Sequence, residues 1–394
     1  VAWLRVLAPL ALILAVLQAC GPTRTSGPPA GGAPAAVAGA PGVTRIGLLL
    51  PLSGGQAGLG RQLFAASQAA FFAAGDGSVV LLPRDTGGTV AGAAAAAQGL
   101  ASEGVSIVVG PLLSAETRAA APALRGAGVP LLSFSSDRNA AGDGAFVLGL
   151  LPDDQVRAAL RFARGAGATR IAVLGADTEF GRAAADAARA LAVDAALDPP
   201  LVALYPPRGD ATAAIRRVLV PAPAGRGQPP AQRPDTVLLT DSGQQLRQLM
   251  ALLAAQPEAD LATLRLVGTA PWSADTTLSL DPALANAIYP APETARTDAF
   301  ARNHASTFGS RPAAVAIVAW DATSVAIEAA RGAAGRPVSP AALTAAAGFQ
   351  GAAGRLRLLP DGRNRRQMVI YQLAPDGVRA LGFAPFDDQV AHVQ

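Results

Sequence analysis

The chain has 394 residues, 51% of them apolar and only 15% charged, so length predicts two domains with a sizeable core and excludes wholesale disorder. All 32 basic residues are arginine, which removes the Walker A lysine, the kinase strand lysine, Schiff-base chemistry and the Ser-x-x-Lys nucleophile together. One cysteine and two histidines exclude Cys/His zinc sites and an intrachain disulfide, and a net charge of +4 implies no nucleic-acid partner.

Residues 1–20 read as a secretory signal, with Arg5 as the positive region and Val6–Leu17 as the apolar core, too short and too interrupted by proline for a membrane span. Leu17-Gln18-Ala19-Cys20 resembles the bacterial lipobox, which implies that the Cys20 thiol is acylated and becomes the mature N-terminus. Several acyl chains give a stable anchor. Gly21, in the place where an aspartate would favour the inner membrane, implies sorting to the outer membrane of a Gram-negative cell. Residues 21–43 are rich in Pro, Gly and Ala and read as a flexible tether.

From Thr44 onward, short apolar runs alternate with alanine-rich amphipathic stretches. The runs are Ile46–Leu50, Val79–Pro83, Val105–Gly110, Val129–Ser133, Arg170–Leu174, Leu201–Tyr205, Thr236–Thr240 and Leu264–Gly268. Continuous apolarity, without alternation, predicts strands buried on both faces of parallel sheets. The helical patterns between them predict α/β, doubly wound sheets, too many strands for one ordinary sheet. Val220–Pro234 reads as a surface insertion. Two long helices are predicted at Thr294–Phe308 and Ala313–Arg331, the first carrying His304 as a surface histidine. A hairpin follows, Gly354–Leu359 and Arg366–Leu373 around Pro360-Asp361-Gly362, with a third strand at Val378–Leu381.

Ile46–Gly60 (IGLLLPLSGGQAGLG), Asp85-Thr86-Gly87-Gly88, Val108-Val109-Gly110-Pro111-Leu112 and Val129-Pro130-Leu131-Leu132-Ser133 resemble the type I periplasmic binding fold of the leucine-binding branch, over about residues 44–390. The resemblance implies two α/β lobes joined by three crossings, expected near Phe146–Pro152, Gly268–Ser273 and Ala347–Gly351. Lobe one is then 44–149 with 270–347, and lobe two is 150–269 with 348–394. Ser133-Phe134-Ser135-Ser136-Asp137-Arg138 and the late Pro360-Asp361-Gly362-Arg363-Asn364 are similar to alphaproteobacterial lipoproteins described as penicillin-binding-protein activators. That similarity implies a peptidoglycan synthase as partner.

A ligand cleft is expected at the carboxyl ends of the strands. Its candidate residues are Ser53 and Gln56 in the first β-α turn, Asp85, Ser114, Ser133, Ser135, Phe180 and Trp272. Ser114 serves equally as a helix cap, and Asp85 as a turn-stabilising residue. Arg355, Arg357, Arg363, Arg365 and Arg366 crowd the hairpin, either as a docking surface for an acidic partner or as a solvated face. Amino-acid receptors of the resembling family place an aromatic ring, a tyrosine and an acid on the ligand. The matching positions here are Leu59, Phe180 and, nearest the second crossing, Asp275, so tight binding of free leucine-like amino acids is not expected. No Gly-x-Ser-x-Gly, His-Glu-x-x-His or paired-carboxylate pattern occurs, so the chain reads as a binding protein with no catalytic residue, metal or cofactor. Its first reading is a lipid-anchored activator of a penicillin-binding protein. The alternative is the substrate-binding lipoprotein of an ABC transporter for branched-chain amino acids or similar solutes.

Overall fold

The computed structural model describes residues 43–386 except 196, 221–232 and 262. The signal, Cys20, the tether to residue 42 and most of the 220–234 insertion lie outside the described residues.

The chain opens with β1 (Thr44–Leu50), α1 (Ala57–Ala74), β2 (Val79–Asp85), α2 (Val90–Ser102), β3 (Ile107–Val109), α3 (Ser114–Gly126), β4 (Leu131–Ser133) and β5 (Ala145–Val147). The five strands form a parallel sheet ordered β2-β1-β3-β4-β5. Leu63 and Ala66 of α1 bury one face of this sheet, and Ala97 and Leu100 of α2 with Ala120 and Leu124 of α3 bury the other. Two-sided cover is why β1 and β3 read as unbroken apolar runs. Gly75, at φ 59°, ends α1 in the left-handed conformation that a residue with a Cβ resists.

The second lobe continues with α4 (Pro152–Gly165), β6 (Ile171–Ala176), α5 (Glu179–Asp194), β7 (Leu201–Tyr205), α6 (Thr212–Leu219), β8 (Thr236–Leu239), α7 (Gly243–Ala254), β9 (Arg265–Val267) and β10 (Ile288–Ala291). The chain then returns to lobe one with α8 (Thr294–Phe308), α9 (Ala316–Ala330), α10 (Pro340–Leu343), β11 (Phe349–Gly351), β12 (Gly354–Leu358) and β13 (Asn364–Arg366). It ends with β14 (Val369–Ala374) and β15 (Gly377–Phe383). Among the described residues the second sheet has seven strands, ordered β15-β14-β10-β9-β8-β6-β7, and β11-β12-β13 form a separate small sheet. Ala316, Ala319 and Val325 of α9 pack in the lobe-one core, as do Phe349 and Leu356 of the small sheet.

Two crossings differ from the sequence reading. The second crossing lies at 292–293, not at Gly268–Ser273, because β10 pairs with β9 and β14 and keeps the chain in lobe two through Ala291. The third crossing follows Arg366, not Ala347–Gly351, because the small sheet packs on lobe one. The first lies at 148–151, after β5 has joined the first sheet. The hairpin partner of β12 is therefore Asn364–Arg366, while Val369–Ala374 has already crossed into the second sheet. His304 is not a surface residue. It is 3% exposed, with its ring 4.7 Å from that of Phe308 and Nδ1 3.2 Å from the Ser310 carbonyl oxygen.

Candidate functional site

A cleft of about 750 Å³ lies between the lobes. Lobe one contributes Leu112–Ser114 after β3 and Phe134–Asn139 after β4; lobe two contributes Pro152 and, after β6, Thr178–Phe180, Arg182, Ala183 and Asp186. Both walls thus come from loops at strand carboxyl ends, where backbone groups and helix N-termini are left facing outward.

On the lobe-one wall, Ser114 is the first residue of α3 and is half-buried. The loop after β4 braces itself. Ser133 Oγ accepts from Ser135 N–H at 3.1 Å, Ser135 Oγ accepts from Asp137 N–H at 3.0 Å, and Asp137 Oδ1 accepts from Asn139 N–H at 2.8 Å. Arg118 of α3 adds a 3.0 Å ion pair to Asp137. On the lobe-two wall, Thr178 caps α5 by accepting from Gly181 N–H at 3.0 Å, and Phe180 leans on the lobe-two core while lining the cleft.

Of the residues proposed from sequence, the structure brings Ser114, Ser135 and Phe180 together on the cleft walls. It places the others elsewhere. Ser133 is fully buried, with Oγ 2.7 Å from Thr117 Oγ1 and donating to the Pro111 carbonyl at 3.1 Å, so it serves the loop and not the opening. Asp85 accepts from the backbone N–H groups of Leu52 (2.8 Å), Ser53 (3.1 Å) and Gly87 (2.8 Å). The Ser53 hydroxyl and the Gly87 N–H hold its carboxyl below the usual range, so Asp85 and Ser53 fix a turn. Gln56, in the same turn, is half-buried and outside the cleft lining.

Trp272 is 1% exposed and belongs to the lobe-two core. Its Nε1 donates to the Asp241 carbonyl at 2.9 Å, and its ring stands 6.2 Å from that of Tyr289. Asp241 in turn accepts from the Tyr205 hydroxyl at 2.5 Å and from Ala176 N–H at 3.0 Å. The carboxyl ends of β6, β7 and β8 are therefore tied together and covered. Asp275 pairs with Arg247 and is likewise committed. Leu59 packs against the lobe-one core.

The arginine cluster also differs from a docking surface. Arg366 is 5% exposed; its guanidinium bonds Asp321 at 2.5 Å and the Leu148 carbonyl at 2.9 Å, and its N–H donates to Asp154 at 2.6 Å. Arg363 pairs with Asp361 and with Asp153, and Arg355 donates to the Ala347 carbonyl. The Arg355 and Arg357 guanidiniums lie 4.9 and 5.9 Å from the centre of the Phe386 ring. Arg365 lies close enough to Asp154 to favour its charged form. Of these cations, Arg363 and Arg366 reach lobe two, at Asp153 and Asp154 at the start of α4. Asn364 donates to the carbonyls of Val147 (2.8 Å), at the end of β5, and Gly149 (2.9 Å), on the first crossing. Burial pushes the Asp154 carboxyl up to about 6, against the Arg366 N–H and the nearby guanidiniums. Burial likewise pushes Asp321 up, opposed by Arg366.

Sequence reasoning missed Arg138, Asp153 and Asp186. Arg138 stands in a motif already quoted for its resemblance, but its partners lie on α4 and α5, beyond the reach of local pattern.

A family model described as periplasmic binding protein matches residues 43–378. No curated protein matches the chain in sequence. Among solved structures, a Rhodospirillum rubrum protein assigned to branched-chain amino acid ABC transport is similar at 21% identity, with 86% of this chain and 100% of that one covered and a TM-score of 0.70. A Brucella ovis leucine-, isoleucine-, valine-, threonine- and alanine-binding protein, in a closed conformation, is 16% identical over 88% of this chain and 97% of its own (TM-score 0.62). A Rhodopseudomonas palustris solute-binding protein of an ABC transporter, in complex with 3,4-dihydroxybenzoic acid, is 17% identical over 88% and 97% (TM-score 0.58). At these identities the likeness is one of fold.

Proposed function

The chain belongs to the periplasmic binding protein family, and on that premise we propose that it is a solute receptor that captures a small carboxylate between its lobes for an ABC transporter. The observation that carries this reading is the interlobe cleft. Its lobe-one wall offers the Ser114 hydroxyl at the start of α3, and its lobe-two wall offers the Phe180 ring. A hydroxyl at a helix N-terminus suits a carboxylate, and a ring suits an apolar body. The neighbours named above support transport as the setting, one of them with a bound aromatic acid.

Free leucine-like amino acids fit this cleft poorly. Asp241 and Asp275, the acids near the second sheet's carboxyl edge, are already held by Tyr205 and Arg247. An ammonium group placed beside either of these acids has to break that bond to gain a counter-ion, and desolvating it without one costs several kcal/mol. Calorimetry with benzoate, 3,4-dihydroxybenzoate, leucine, isoleucine, valine and alanine tests the reading. Binding of a carboxylate that lacks the ammonium group is expected. Micromolar binding of any of the four amino acids overturns the ligand class, and binding of none of the six overturns the receptor reading.

The activator reading draws on the Ser133–Arg138 and Asp361–Asn364 resemblances. The covered edge of lobe two favours it, since a protein that binds partners by its outer surface needs no open cleft. It is the weaker of the two, because two of the arginines that suggested a docking face, Arg363 and Arg366, are taken up by lobe two. Affinity capture of a peptidoglycan synthase from detergent-solubilised envelopes supports it; permease and ATPase components in the same capture support transport. Anchoring through acylated Cys20 at the outer membrane is part of the same proposal. Cys20→Ser should release the chain from the membrane fraction or leave it unprocessed, and retention at the outer membrane removes the anchor.

A further inference from the structure

Arg138 reaches across the cleft. It sits in a single 3-10 turn of lobe one, Arg138–Ala140, which Asp137 caps from one side and Arg118 braces. Its guanidinium meets two carboxylates of lobe two: Asp153, at the start of α4, at 3.1 and 3.2 Å, and Asp186, on α5, at 3.4 Å. The two partners are unequal. The Asp153 side chain is 9% exposed and is shared with Arg363 at 3.3 Å, another lobe-one cation. The Asp186 side chain is 50% exposed, and Arg189 competes for it at 2.9 Å.

The order along this line is thus Arg363, Asp153, Arg138, Asp186, Arg189, with signs alternating and the Arg138–Asp186 contact, at 3.4 Å, the longest. A half-exposed pair at 3.4 Å contributes little and exchanges easily. The Asp153 pair, shielded and doubly held, keeps the guanidinium where it is. Arg138 and Asp186 both line the cleft that also holds Ser114, Ser135 and Phe180. An anionic group entering between the lobes meets a cation whose outer partner is easily displaced.

We propose that Arg138 is an interlobe latch and the anion-recognising residue of this cleft: it holds the empty cleft through Asp186 and hands that bond to a ligand carboxylate. The handover rests on the solute-receptor reading above; the latch does not. Binding then replaces a weak bond between lobes with a ligand that touches both, so closure is part of recognition.

Two variants of the full chain separate the roles. Asp186→Asn and Arg138→Gln both break the cross-cleft pair. Small-angle scattering without ligand should show a larger radius of gyration for both, with the open-to-closed ratio shifted up to about fivefold, as an exposed pair allows. Benzoate titration should then split them. Arg138→Gln loses roughly tenfold or more in affinity, as removal of a charged hydrogen bond predicts, while Asp186→Asn binds as well as the parent or up to about fivefold better. Arg138→Lys, which keeps the charge, should restore part of the affinity and guards against a folding defect in the glutamine variant. Equal losses in Arg138→Gln and Asp186→Asn overturn the recognition role. Unchanged scattering in both overturns the latch. If the parent chain binds no carboxylate, the handover falls with the receptor reading, and scattering still decides the latch.

Discussion

The strands of the two sheets end on the same cleft but finish differently. In lobe one, β3 and β4 run into loops whose hydroxyls and helix N-terminus face the opening at Ser114 and Ser135. In lobe two, β6 reaches the cleft through Thr178 and Phe180, but Asp241 ties the ends of β6, β7 and β8 together beneath Trp272. One edge is largely open to the cleft; the other reaches it only beyond β6, the rest being closed by the protein's own side chains. Two lobes of one fold thus present unequal walls. Asp241, buried and held by a tyrosine hydroxyl and a backbone N–H, faces the protein's interior.

The largest way to break the contrast is to unseal lobe two. Trp272→Ala removes a side chain that is 1% exposed and should cost about 3–5 kcal/mol of stability, read by denaturant unfolding. Its mirror is overfilling. A Cβ at Gly268 would stand 2.3 Å from the Trp272 ring, so Gly268→Ala should cost about 1–3 kcal/mol by the same measurement.

The joint between the edges is sharpened by pH. The Asp154 carboxyl is raised from 3.8 to about 6, so the folded chain holds that proton more tightly than the unfolded chain does. Its stabilising share is complete below about pH 4 and is lost as pH rises through about 6. Asp154→Asn should flatten that part of the stability profile, a change on the order of 2–3 kcal/mol across the window. A variant profile parallel to the parent's would show that Asp154 does not carry the slope.

Tyr205→Phe tests the seal more gently. It leaves Asp241 without its hydroxyl donor and should cost about 1.5–3 kcal/mol, with little change in carboxylate binding at the other wall. Ser114→Ala reverses the pattern. The residue is half-buried, so stability should move by less than about 0.5 kcal/mol, while calorimetry should show weakened carboxylate binding.

Much of this architecture was legible before the structure. Continuous apolar runs announced β1, β7 and β8 because both faces of each sheet are covered. Strand β10 escaped because Ile288-Tyr289-Pro290-Ala291 is short and holds a proline, which argues against an interior strand. It pairs all the same, antiparallel to β14 with Pro290 opposite Ile370. Missing it moved the second crossing back to Gly268 and placed Trp272 in the cleft. The arginines of the hairpin were legible as a cluster, but their burial was not. Arg366 meets Asp321, 45 residues earlier, and only the packing of the small sheet against α9 brings them together. The cleft residues divided on the same line: Ser114 and Phe180 followed from matching positions in the resembling family, whereas Arg138 needed two partners supplied by another lobe.

The late arrival of β14 has a consequence for how the chain is made. Strand β10 stands between β9 and β14, yet Val369 is synthesised only after all of α8, α9 and β11–β13. Until then the growing second sheet presents β10 as a bare edge, the kind of surface that recruits foreign strands. Lobe one reaches its last strand, β13, first. A chain cut short before Val369 would therefore carry one nearly finished lobe and one half-built one with an open strand edge, which the 18 residues 369–386 close.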